Sequence, residues 1–161
     1  AYFMYQGALE LRVALIAAAP SVVAYQRDAS YSYVGMADML AQDGDHAGAE
    51  SLLAEAVVLR SQVVGAAPTD LAALRELSIA QNALSAALLE LGRSVEALTA
   101  GQDALSTTER ILELAPDVPD FLRDHMTALN RVGDAQSALG DFTAAIQTFR
   151  AMSSDGYAAR S

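Results

Sequence analysis

The chain has 161 residues, 53% of them hydrophobic, a formal net charge of −10 and no cysteine. An acidic surface argues against nucleic acid and against an anionic membrane as partners, since both attract dense positive charge. The missing cysteine removes disulfides, thiolate metal sites and cysteine nucleophiles together.

Residues 1–19 have the spacing of one helical face, with Tyr5, Ala8, Leu9, Arg12, Leu15 and Ile16 at three- and four-residue steps. Pro20 ends that helix, because proline cannot continue the hydrogen-bond ladder. Ser21 is placed to cap a second helix over 22–43, which stops at Gly44 and Asp45. A third helix spans 46–65, with Ala49, Leu52, Leu53, Ala56, Val57, Val63 and Val64 on its inner side. Thr69 and Asp70 are good caps for the next helix, marked by Leu74, Leu77, Ala80, Leu84 and Leu88. Gly92 breaks it. Val95, Leu98, Leu105, Ile111 and Leu112 mark the fifth helix, and Pro116 ends it. Leu129, Val132, Gly133 and Gln136 lie on the sixth. After Gly140 comes a short seventh helix with Phe142, Ala145, Ile146, Phe149 and Met152, then a frayed polar tail over 153–161.

The punctuation is periodic. Pro20, Pro68 and Pro116 are 48 residues apart, as are Gly44, Gly92 and Gly140, and Arg27, Arg75 and Arg123. A fixed period of this kind predicts a stacked helical array. The chain therefore reads as one all-α array: residues 1–19 as the second helix of a partial repeat, then repeats over 22–66, 70–114 and 118–152. Short loops make neighbouring helices antiparallel.

The small and large residues follow the same period. Ala37, Ser85 and Gly133 lie midway along each first helix. Ala49, Ala97 and Ala145 follow the glycine break by five residues. Leu53, Gly101 and Phe149 come four later, and Ala56, Ala104 and Met152 three after those. This pattern resembles the tetratricopeptide repeat, in a long form, since that family's usual period is about 34 residues. The resemblance covers nearly the whole chain and is similar to arrays in large bacterial signalling proteins. It implies an α-solenoid wound as a right-handed superhelix, without catalytic activity, cofactor or metal. It also implies a concave groove, lined by the first helices, that takes a peptide or helix. Gly101 stands where the family has a bulky residue, so looser packing is expected in the middle repeat.

On this resemblance the groove positions are Tyr31, Val34 and Asp38, then Ile79, Asn82 and Leu89, then Thr127, Asn130 and Asp134. Asn82 and Asn130 are equivalent, and an amide can hydrogen-bond a peptide backbone as donor and acceptor. Arg75 and Arg123 can clamp a carboxylate or bridge adjacent repeats as ion pairs. The expected partner is a protein or peptide, with no nucleic acid and no membrane. The exposed end helices also allow homo-oligomerisation or docking on other domains of a longer chain. The setting expected from the composition is the cytoplasm of a bacterium, and the resemblance implies a segment of a larger regulatory protein.

No catalytic constellation emerges. His46 and His125 are the histidines, and neither comes with a converging ligand set. A phosphate loop of the GxxxxGK[ST] type is excluded without lysine. The acids at 43–45 and 117–124 sit at helix ends, where carboxylates cap amides and oppose the dipole.

Overall fold

The computed structural model describes the backbone of residues 2–158 and the side chains of residues 5–152. Among the described residues there are seven helices and no strand: α1 (Tyr2–Ala18), α2 (Val23–Gln42), α3 (His46–Ala66), α4 (Leu71–Glu90), α5 (Ser94–Leu114), α6 (Pro119–Ala138) and α7 (Phe142–Ala158). Each packs on the next in chain order, and α4 also touches α6 across the intervening α5. The result is an all-α solenoid of antiparallel helix pairs: α2 with α3, α4 with α5, α6 with α7. None of these helices is long and apolar enough to cross a membrane.

The turns follow the residues that mark them. Gly44, Gly92 and Gly140 have φ of 83°, 71° and 80°, the left-handed region that lets a helix end without a Cβ clash. Asp45, Asp70 and Asp141 then accept hydrogen bonds from backbone amides of the following helix, at Gly48, Ala72 with Ala73, and Ala144. Ser21 does not cap α2: that helix starts from Val22 with no side-chain cap. α7 runs on to Ala158, so residues 153–158 are helical rather than a tail; the last three residues lie outside the described part.

The core is a chain of small clusters, each shared by three consecutive helices. Val63, Val64, Ala73, Leu74, Leu77 and Ile111 form one. Leu74 and Ile111 are enclosed almost completely, each gaining about 2–3 kcal/mol from burial. Ala37, Ala49, Leu53 and Ala87 form the second, and Leu88, Ala97, Ala100 and Ala135 the third. Val95, Phe142 and Ile146, which mark their helices in the sequence, are 67%, 65% and 51% exposed. Their spacing fits a helical face, but each stands in the first turn or so of its helix, where the neighbouring helix does not cover it.

Gly101 corrects the expectation of loose packing. It is buried, and a Cβ there would lie 3.3 Å from the backbone nitrogen of Val132 and 3.4 Å from Ser85 Oγ. The missing side chain lets the α5 backbone come against α6. Across the crossing within each pair, sizes compensate. Ala37 faces Leu53, Ser85 faces Gly101, and Phe149 lies on Gly133, where a Cβ would be 2.5 Å from its ring.

Candidate functional site

The first helices of the pairs, α2, α4 and α6, carry every expected groove position. The arginines of this row form a ladder. Arg27 Nε and Nη2 donate to the Glu76 carboxylate at 3.0 and 2.5 Å, and Arg75 Nε donates to Asp124 Oδ2 at 2.6 Å. Both pairs join residue i of one repeat to residue i+49 of the next. Each arginine therefore skips the acid beside it in sequence and takes the equivalent acid one repeat on. The carboxylates hold Arg27 and Arg75 above the ordinary arginine range, through hydrogen bonding first and charge second. Arg75 also approaches Asp120 at 4.0 Å and lies over the Phe121 ring at 5.9 Å. Arg123 meets Asp120 of its own helix at 3.0 Å. Of the two roles open to these arginines in the sequence, bridging is what Arg27 and Arg75 perform.

Tyr31 and Ile79 are equivalent and each 45% exposed, and Thr127 continues the row, exposed as well. Tyr31 Oη donates to Glu76 Oε1, which raises the phenol above its usual range, with burial adding to the effect. Val34 and Leu89 are less free. Val34 packs on the cluster around Leu53, and Leu89 on the cluster around Leu88. Asp38 is exposed. Partial burial raises its pKa, and the nearby Arg60 charge offsets part of that rise.

The two asparagines are not used alike. Asn130 Nδ2 donates to Asp134 Oδ2 at 3.1 Å, one turn along its own helix. At the equivalent of Asp134 the middle repeat has Ala86, and Asn82 is left without that acceptor. Asn82 is 8% exposed and its Oδ1 is enclosed with no hydrogen-bond partner. The same holds for Arg131 Nε.

A second polar row was not anticipated. Arg12, Arg60 and Thr108 are 48 apart, on the second helices. Each ties its helix to the first helix that follows. Arg12 donates to Ser32, Arg60 to the Glu76 carbonyl at 2.5 Å, and Thr108 Oγ1 sits 3.1 Å from His125 Nδ1. Arg60 is 4% exposed, hydrogen-bonds Ser30 Oγ at 3.2 Å and lies under the Tyr31 ring at 5.6 Å. Desolvation lowers its pKa, with Glu76 the largest opposing charge. The period was the signal for this row. It is hidden in the sequence because Arg gives way to Thr at the third position.

A tetratricopeptide-repeat family model matches residues 31–70. The match spans the second half of α2, all of α3 and the turn to α4, and supports a repeat of tetratricopeptide type. No curated protein matches the chain. Tetratricopeptide repeats generally serve as protein–protein interaction modules and are typically non-catalytic.

Proposed function

We propose that the chain is a protein-interaction module whose first-helix row forms a concave groove for a peptide or helix. The observation that carries this is the exposed row Tyr31, Ile79 and Thr127, running across three repeats at one position. Large side chains with free surface at a repeated position are what an elongated partner buries. Asn82, Asn130, Asp38 and Asp134 supply polar contacts beside that row, while Val34 and Leu89 shape its walls. Arg75 acts mainly by holding α4 against α6, and Arg123 has the more accessible guanidinium, 71% exposed. On this reading the module is one segment of a larger bacterial regulatory protein and works in the cytoplasm.

The test is a phage-displayed peptide library panned on the chain. Selected peptides should lose at least ten-fold in affinity to Ile79→Glu and keep it in Val58→Glu. Val58 is a comparably exposed apolar residue, 52%, on the second-helix side. Peptides sensitive to Val58 and indifferent to Ile79 sink the groove.

A second reading, association through the end helices, rests on Leu11 at 65% and Phe142 at 65% exposure on α1 and α7. Light scattering separates the two: a monomer at all concentrations that binds the selected peptides removes the second.

A further inference from the structure

The arginine ladder has a third arginine. Arg27 and Arg75 each reach an acid of the next repeat, and their side chains are 33% and 36% exposed. Arg123 stands at the same position of α6, meets Asp120 of its own helix and is 71% exposed. Among the described residues no helix lies beyond α7 to carry the next acid. The same edge is open along α7. Ile146 is 51% exposed, where its equivalent Leu98 packs on the cluster that includes Ala135 of the following first helix. Phe149 is half-buried, where Leu53 is 4% exposed and Gly101 is buried.

Two finished junctions show what closes such an edge. Glu76 lies on Arg27, and Leu84, two turns further along α4, packs on the cluster that holds Leu53. Asp124 lies on Arg75, and Val132, two turns further along α6, lies against Gly101. Midway between acid and aliphatic residue come Ala80 and Ala128, both 0% exposed. Acid, small and aliphatic residues at four-residue steps share one helical face. Asp28, Ser32 and Met36 repeat the pattern on α2, so all three first helices carry it. Its two anchor points lie about 12 Å apart along the helix. Arg123 and Phe149 are the matching two points on the last pair.

We propose that Arg123 and the open face of α7 form a docking site for one amphipathic helix of a partner protein. That helix carries an acid, a small residue one turn on and an aliphatic residue one turn further. The acid takes Arg123, the aliphatic residue covers Phe149, and the turn after it covers Ile146. The small residue lets the two backbones close up, as it does at both finished junctions. A second copy of the chain does not supply this helix. Its pattern lies on α2, α4 and α6, where Ser32, Ala80 and Ala128 are already 0% exposed inside the fold. A free partner helix has that face uncovered. The groove reading does not enter this argument, and the two surfaces share Arg123 alone.

A synthetic peptide with the sequence of residues 70–91, titrated into the isotope-labelled full chain and followed by NMR, tests it. This is the α4 sequence, chosen because the Leu53 it covers is bulky, as Phe149 is. The expected result is saturable binding, with shifts at Ile146 and Phe149 and none at Ile79. Exchanging residues 75 and 76 in the peptide keeps its composition and charge but turns the acid off the docking face; binding should weaken about ten-fold. Arg123→Glu in the chain should weaken the parent peptide about five-fold, and Glu76→Arg in the peptide should recover that loss. The proposal is overturned if α7 does not shift, if the exchanged peptide binds as well as the parent, or if reversing both charges recovers nothing. Shifts centred on Ile79 place the peptide in the groove, which overturns this site and leaves the groove standing. Shifts at Ile146 and Phe149 on concentrating the chain alone make a second copy the occupant and equally overturn it.

Discussion

The junction between α3 and α4 and the junction between α5 and α6 occupy the same place in successive repeats and are built differently. The first is filled by side chains. Leu53 occupies the large position, and a buried cation, Arg60, reaches across to the Glu76 carbonyl. The second is closed by backbone. Gly101 leaves the large position empty, α6 comes within 3.3 Å of where its Cβ would be, and Thr108 and His125 replace the arginine link. One period thus sustains two packing solutions, because a solenoid asks only that each unit match its neighbours. The arginine ladder is common to both, which fits its position on the accessible edge of the row.

The largest test of this contrast is Gly101→Leu, which restores the residue type found at Leu53. It should destabilise by about 3 kcal/mol in denaturant unfolding, because the added atoms meet backbone that cannot move aside. A neutral result would show that α6 is free to retreat. Next is Arg60. Arg60→Ala should cost about 2–3 kcal/mol, since it leaves a cavity and strips Ser30 and the Glu76 carbonyl of a donor. Arg60→Met should cost much less, because apolar packing substitutes well for a buried charge without a direct carboxylate. If both variants cost the same, the hydrogen bonds rather than the stem hold that junction.

The ladder rungs should be weaker. A double-mutant cycle on Arg27 and Glu76 should give a coupling of about 1 kcal/mol, and one on Arg75 and Asp124 about half that. The first rung is bidentate and the second has one close contact, while the two are about equally exposed, 33% and 17% against 36% and 16%. Raising the salt should shrink both. The smallest effect belongs to Asp38. Its folded pKa lies above the unfolded value, so its charged form opposes folding; that penalty is present in full above the folded pKa, fades as pH falls from the folded to the unfolded pKa and is gone below it. Asp38→Asn should therefore be slightly stabilising at neutral pH, with no difference from the parent at low pH.

Much of this was legible in the chain. Gly44, Gly92 and Gly140 mark the turns because a left-handed φ admits little else, and Asp45 and Asp70 cap because a short carboxylate reaches the amides above it. These are local constraints, and local constraints show in sequence. The candidate site was less legible. Asn82 and Asn130 look identical in the repeat, yet Asp134 pairs with one and Ala86 leaves the other unsatisfied. Arg75 is followed directly by Glu76, yet its partner is Asp124, 49 residues on.

The sequence by itself determined the helices, their breaks and the 48-residue repeat, because backbone conformation and amphipathic spacing are set by residues a few positions apart. The tertiary structure alone decided which arginine pairs with which acid, how closely α5 and α6 approach, and which polar atoms are left without partners. Those outcomes depend on the offset between stacked repeats. A difference of one residue, 49 rather than 48, carries each arginine past its own counterpart, the next arginine of the row, and onto the acid beside it.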